Sequence, residues 1–363
     1  MEAQTGTGSV ARIQLLALPE TTPATLYGLH EVFASVGVAW QQLTHEATAA
    51  ARLDARIVAR AKAPYPSPFG PPIAPEESLD GAGRADIVIV TDLMLRPEED
   101  PRGRWPEETA WLRRQFDRGA IVCSVCTGSV FLAEAGLLDG VDATTHWGVA
   151  GIFARCYPLV HLRAERILCP AGPEHRIITS GGAASWTDLA LYLVTRFRGP
   201  AEAVRIAKVF LIGDHSEGQL PFAALGRPTA HHDATIARCQ QWLAEHYAEP
   251  NPVARVTQLS GLPVRTFKRR FRSATGYTPI DYIQALRIEE AKQMLETTAE
   301  ATDAVAHAVG YDDPAFFRRL FKRLTGVTPA RYRQRFRFAG LALQPCGGIA
   351  VDCSQQDFLT SRP

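Results

Sequence analysis

The residues best placed to do chemistry lie in Ala120–Gly128, AIVCSVCTG, an apolar strand running through Cys126 into a tight turn and then a helix from Ser129 to Leu138. A thiol at such an elbow sits near a helix N-terminus, where the dipole and nearby N–H groups favour a thiolate. Twenty residues on, Thr144-Thr145-His146-Trp147 offers an imidazole. One reading makes Cys126 a nucleophile and His146 its base. The other makes them a buried cysteine and a hydrogen-bonded histidine lining a cleft, and residue types alone leave both open. Cys123-x-x-Cys126 could be half a zinc site or a redox pair, but no second pair or histidine cluster follows it, so neither a metal nor a cofactor is expected.

A second set of residues is cationic. Arg265, Lys268, Arg269 and Arg272 fall on one side of a helix whose other side carries Phe267 and Phe271, and Arg318, Arg319, Lys322 and Arg323 do the same opposite Phe317 and Phe321. The two sets are copies at an offset of 50 residues. Arg269 pairs with Arg319, Thr275-Gly276 with Thr325-Gly326, Thr278-Pro279 with Thr328-Pro329, Tyr282 with Tyr332 and Arg287 with Arg337. Each copy reads as helix, turn, helix: Pro252 to Leu259 then Val264 to Ala274, and Ala301 to Val309 then Pro314 to Leu324. Gly276 and Gly326 stand where a left-handed residue closes a helix, with Pro soon after. A basic helix can be a solvated surface of snorkelling arginines. Two in register point instead to helices that enter the major groove, with Arg and Lys on guanine edges and phosphates.

The bulk numbers agree with two modules. A chain of 363 residues exceeds one comfortable core. Residues 229–338 hold 17 Lys and Arg against 11 Asp and Glu, whereas residues 1–228 hold 21 against 25. A polyanion-binding module thus joins one with other business. No apolar run has the roughly 18 residues of a membrane span, and the N-terminus lacks a basic start followed by an apolar stretch, so a cytoplasmic protein without membrane association is expected. Seven cysteines without framework spacing fit reduced thiols.

Residues 233–338 resemble the AraC/XylS DNA-binding domain. The resemblance rests on Val309-Gly310-Tyr311-Asp312-Asp313-Pro314-Ala315-Phe316-Phe317-Arg318-Arg319-Leu320-Phe321-Lys322, then Gly326-Val327-Thr328-Pro329 and Tyr332-Arg333. It implies that Arg265, Lys268 and Arg269 reach bases from the first helix, with Thr266 and Arg272 on the same DNA-facing helix, and Ala315, Phe316 and Arg319 from the second, flanked by Arg318 and Lys322. A linking helix from about Thr278 to Glu296 would let one monomer read two successive major grooves, about 34 Å apart.

The first half alternates apolar strands, clearest at Arg12 to Leu18, Asp86 to Val90 and Ala120 to Val125, with helical stretches. That predicts an α/β domain with a mostly parallel sheet and helices on both faces. Ala61 to Arg84, rich in Pro and Gly, reads as a long loop serving as a lid or dimer contact. The Cys126-Thr127-Gly128 elbow, Leu132 to Gly140, Thr144 to Trp147, Thr179-Ser180-Gly181-Gly182 and Trp186-Thr187-Asp188 resemble, in that order, the PfpI-type branch of the class I glutamine amidotransferase-like superfamily. With the AraC-type module this is the arrangement of GlxA-like transcription regulators. The resemblance implies a flavodoxin-like sensor domain over residues 1–215 and the DNA-binding domain over 233–338; Pro and Gly content reads as a linker over 216–232 with His231-His232 as solvated spacer, and the absence of helical periodicity as a flexible tail over 339–363.

Departures from the enzymatic pattern shape the functional expectation. Gly148 stands where amidotransferases have Glu, and Thr25 where related hydrolases place an acid, with Glu20 and Glu31 nearby. The old active site is therefore expected to bind a small molecule, with Cys126, Thr127, Gly128, His146, Trp147 and Thr25 marking the pocket and no catalysis. The rival is a Cys126-dependent hydrolase or isomerase with a DNA-binding attachment. A third reading is a constitutive DNA binder whose first half only dimerises. Expected partners are promoter or operator duplex DNA, a small effector of the nitrogenous metabolites that relatives suggest, RNA polymerase in the case of an activator, and a second copy of the chain.

Overall fold

The computed structural model describes residues 10–46, 50–213, 215–225 and 231–337. The expected tail, with Cys346 and Cys353, lies outside them. The chain forms two compact units that divide between Ala223 and Ala224.

The first unit is built on a seven-stranded sheet. Its order is Leu168–Ala171, Ile177–Ser180, Ile121–Val125, Ile87–Val90, Ala11–Leu16, Leu53–Ala59 and Glu77–Ser78. Every neighbouring pair is parallel except the first. The central strands Ile87–Val90 and Ile121–Val125 are buried along their whole length, as central parallel strands are, and the period of two splits strand side chains between two cores. Val88, Val90 and Val122 pack with Trp111, Leu112 and Phe131 on one face. Ile87, Ile89 and Ile121 pack with Leu26, Phe33, Leu189 and Leu193 on the other. Helices Pro106–Asp117 and Gly128–Glu134 cover the first face, Pro23–Ser35 and Trp186–Arg198 the second.

Residues 61–84 depart from the expected open loop. Tyr65–Pro66 pairs with Pro72–Ile73, and Glu77–Ser78 adds an edge strand beside Leu53–Ala59. The reason is apolar anchoring that Pro and Gly content concealed: Ile73 is fully buried, and the Tyr65 hydroxyl donates to the Leu18 carbonyl at 3.2 Å.

The second unit is all helical. Helices Ala234–His246, Pro252–Leu259, Val264–Thr275, Pro279–Thr297, Thr302–Ala308, Pro314–Thr325 and Pro329–Phe336 follow in order; the middle five lie within a residue or two of the expected helices, and the first and last are additional. There are two small cores, and the long helix Pro279–Thr297 serves both: Tyr282 and Ile283 join Phe267 and Phe271, while Ile288, Ala291 and Leu295 join Phe317 and Phe321. The repeat is exact in its caps. Thr275 and Thr325 hydroxyls each donate to the phenylalanine carbonyl four residues back at 2.8 Å. Gly276 and Gly326 follow at φ of 80° and 79°, a conformation that glycine adopts without a steric penalty.

Candidate functional site

The elbow forms because three strand ends meet. Ile121–Val125 ends at Cys126, whose φ is 56°, and its N–H donates to the Ser180 carbonyl at 2.9 Å. A left-handed non-glycine residue at a strand-to-helix turn is the strained geometry of a nucleophile elbow. Gly128 lets the next helix close on the neighbouring strand: a Cβ there would lie 2.5 Å from both the Val90 and Thr91 carbonyl oxygens. The Thr127 hydroxyl bridges to the Leu93 backbone, accepting from N and donating to O at 2.7 Å each. Thr25 is buried at the start of helix Pro23–Ser35, after the strand Ala11–Leu16. The site thus occupies the C-terminal ends of the strands beside the point where strand order reverses, the usual ligand position in such sheets.

The geometry of the elbow bears on the nucleophile-and-base reading at two points. Cys126 is only 6% exposed, and burial, reinforced by the Asp92 carboxylate and opposed only by Thr127, pushes its thiol up to about 12. The helix N-terminus therefore does not produce a thiolate, because desolvation outweighs it. Nor is His146 arranged as a base for it through Nδ1: that nitrogen accepts the Gly148 N–H at 3.0 Å and caps the short helix Trp147–Val149. A Cβ on Gly148 would lie 2.9 Å from that nitrogen, so a Glu at this position does not fit the same conformation. The His146 ring lies against Trp147, centroids 5.0 Å apart. Glu20, considered above as the missing acid, instead pairs with Arg104 at 3.1 Å and accepts from the Trp105 indole at 3.2 Å.

Two residues of the site were absent from the sequence reading. Asp92 is 8% exposed and accepts a hydrogen bond from Thr22 through Oδ2, while its buried Oδ1 has no partner among the described residues. Its signal was its place just after the strand Ile87–Val90, beside the reversal point. Gln219 was assigned to the linker, yet it is 2% exposed and its amide nitrogen lies within hydrogen-bonding distance of Thr144 Oγ1 and the carbonyls of Thr145, Ala164 and Arg166. The start of the expected linker is thus part of the first unit. Its other end is also structured: His231 contacts Gln240 at 2.6 Å and accepts the Asp233 N–H at 3.2 Å, so it is no solvated spacer.

A buried neutral thiol has a testable consequence. Cys126 is expected to react with iodoacetamide at pH 8 more slowly than half-buried Cys156, as read by mass spectrometry of the alkylated peptides; faster labelling of Cys126 would refute it. Because burial raises it above the ordinary thiol value of 9.0, the contribution of this thiol to stability is present below pH 9 and is lost as pH rises toward 12.

In the second unit the cationic faces are solvent-facing. Arg265, Lys268, Arg269 and Arg272 are exposed on Val264–Thr275, with Thr266 half-buried, and among the described residues none of the four cations has an ion-pair partner. On Pro314–Thr325, Ala315, Phe316, Arg318, Arg319 and Lys322 are exposed. This copy is more internally engaged: Arg318 pairs with Asp303, Arg319 stands 4.0 Å from Asp313, and Arg323 donates to Gln284 at 3.2 Å. Phenylalanines at a spacing of four anchor each helix inward, so the cations between them must point out.

No helix among the described residues is long and apolar enough to cross a membrane, and no group of three metal-binding side chains occurs among them. A helix-turn-helix domain family matches residues 256–335 and the DJ-1/PfpI family residues 46–196. The HTH-type transcriptional regulator CdhR of Pseudomonas aeruginosa is 30% identical over 261 residues, covering 69% of this chain and 74% of that protein. The HTH-type transcriptional regulator GlxA of Rhizobium meliloti is 28% identical over 226 residues, 62% of this chain and 68% of the relative. GbdR of Pseudomonas aeruginosa, also an HTH-type regulator, is 25% identical over 266 residues, 72% and 70% respectively. With its elbow-bearing α/β unit and duplicated helix-turn-helix unit, the chain belongs to the GlxA-like HTH-type transcriptional regulators, in which a DJ-1/PfpI domain precedes an AraC-type DNA-binding domain.

Proposed function

We propose that this DNA-binding transcriptional regulator acts in the cytoplasm and is controlled by a small metabolite held at the Cys126–His146 elbow, without turnover. DNA recognition rests on one face of each helix, Arg265, Thr266, Lys268, Arg269 and Arg272 on Val264–Thr275, whose four cations here are exposed and without an ion-pair partner among the described residues, and Ala315, Phe316, Arg318, Arg319 and Lys322 on Pro314–Thr325. Arg and Lys in such positions read guanine edges and hold phosphates. The observation that carries the sensing reading is the buried Asp92 Oδ1, without a partner among the described residues, beside a thiol held protonated. Buried acceptors normally find donors, and a ligand N–H or O–H supplies one here. In this reading Thr25, Thr127, Gly128 and Trp147 would contact the same ligand. Coupling requires that ligand bind one DNA-binding state better than the other.

The rival hydrolase or isomerase retains one supporting feature, the strained φ of Cys126. The protonated thiol and the capping role of His146 weigh against it. The test selects duplexes from a random library with full-length protein, then measures thermal stability and duplex affinity against a metabolite panel. A metabolite that raises the melting temperature and shifts affinity supports sensing. Metabolite consumption that Cys126→Ala abolishes replaces it with the enzyme, and a protein indifferent to every metabolite is the constitutive binder.

A further inference from the structure

The segment that leads out of the first unit is fastened at the elbow by one side chain. The Gln219 amide nitrogen lies 2.9 Å from the Thr145 carbonyl, 3.0 Å from that of Ala164, 2.9 Å from that of Arg166 and 3.3 Å from Thr144 Oγ1. Two amide protons face four acceptors. The Thr144 hydroxyl proton is already given to the Arg166 carbonyl at 2.8 Å, so it cannot relieve the crowding. The other end of the amide has the opposite fault: Oε1 is buried and has no donor among the described residues.

Glycines make room for this arrangement. A Cβ on Gly181 would lie 2.3 Å from the Gln219 amide nitrogen and 2.4 Å from its Cδ. Gly218, at φ of 76°, would bring a Cβ 2.6 Å from the Glu165 carbonyl oxygen. The site is continuous with the elbow. Thr145, whose carbonyl takes the amide, donates its hydroxyl to the Cys126 carbonyl at 3.3 Å. The Cβ position of Gly182 lies 3.6 Å from Gln219 Oε1 and 3.7 Å from the His146 ring. Beyond Gln219, Pro221 and Ala223 are buried in the first unit, and the chain then enters the second.

We propose that residues 218–223 form a latch which a primary ammonium group releases: the ligand's –NH3+ displaces the Gln219 amide from the three carbonyls and so frees the segment that leads to the DNA-binding unit. This rests on the metabolite-sensing reading above. An ammonium brings three donors and no acceptor, so it matches the carbonyl cage without leaving an orphaned oxygen inside it. A quaternary ammonium has no N–H and does not match. Displacement couples ligand to DNA because the bound ligand and the docked segment exclude each other.

The experiment uses full-length protein and a duplex selected by the wild type. Hydrogen exchange of residues 218–223 and duplex affinity are read for wild type, Gly181→Ala and Gln219→Ala, each with ethylamine, glycine or glycine betaine. Both substitutions are expected to speed exchange of the segment by about tenfold, as local opening allows, and to shift affinity in one shared direction by about fivefold or more. Ethylamine or glycine should do the same to wild type, betaine should not, and neither amine should act further on the variants. Wild-type exchange or unchanged affinity in folded variants overturns the latch. Variants that respond as expected beside a wild type indifferent to both amines overturn the ammonium displacement. A different metabolite acting on wild type with the segment still docked leaves the sensing reading standing and refutes this one. The amine measurements on wild type remain decisive should both variants fail to fold.

Discussion

Arg269→Ala combined with Arg319→Ala is expected to weaken binding to a selected duplex by roughly 10²–10⁴-fold, since a well-placed Arg on a base edge contributes about 1–3 kcal/mol. The two residues occupy equivalent places in the repeat, but their surroundings differ. Arg269 is exposed without an ion-pair partner among the described residues, whereas Arg319 stands 4.0 Å from Asp313. Arg319 must be drawn from that carboxylate before it meets DNA, so Arg269→Ala alone should cost more than Arg319→Ala alone. Arg272→Ala, removing an exposed cation of the same helix that is not assigned to a base edge, should instead weaken all duplexes alike and lower the salt slope by about one. A salt-titrated binding assay separates these outcomes. A double variant that keeps its sequence preference would remove these arginines from the recognition surface.

The second large effect is on stability. Arg287→Ala is expected to destabilise the second unit by about 3–5 kcal/mol, the cost of breaking a buried charged network, and so to lower its melting temperature by on the order of 15 °C. Arg287 is 9% exposed in the long shared helix. Its guanidinium donates to the carbonyls of Tyr247 at 2.7 Å, Gly310 at 2.8 Å and Glu249 at 3.0 Å, and lies 5.0 Å from the centre of the Tyr311 ring. One residue thereby ties the end of helix Ala234–His246, ahead of the first repeat, to the turn of the second. Arg287→Lys should recover little, because a single ammonium cannot span three carbonyls in that planar fork. Calorimetry of the full chain, following the transition assigned to the second unit, decides it; a loss below about 1 kcal/mol would make the network incidental.

The elements that a local pattern specifies were legible. Phe267 and Phe271, repeated as Phe317 and Phe321, fixed which side of each recognition helix turns inward, and thereby which cations face out. Gly276 and Gly326 marked the helix ends because only their position demanded a left-handed residue. The parallel sheet followed from uninterrupted apolar strands alternating with helices. Even the elbow at Cys126-Thr127-Gly128 was visible, as a strand running into a helix through a small residue.

What residue spacing could not give was the state of the groups at the elbow. Whether a thiol beside a helix N-terminus ionises depends on how much water reaches it and on which charge lies across the turn, here the carboxylate of Asp92, 34 positions earlier in the chain. His146 looked available until its ring nitrogen proved to hold the Gly148 N–H. Gln219 looked like spacer because Gly and Pro surround it, although the carbonyls it meets come from residues 53 to 74 positions away. Sequence by itself determined the two modules, the duplicated helices and their outward cations, because period and capping act over a few residues. Tertiary structure alone decided the protonation of Cys126, the orphaned acceptors and the docking of residues 218–223, because desolvation and hydrogen-bond competition arise only where distant segments meet.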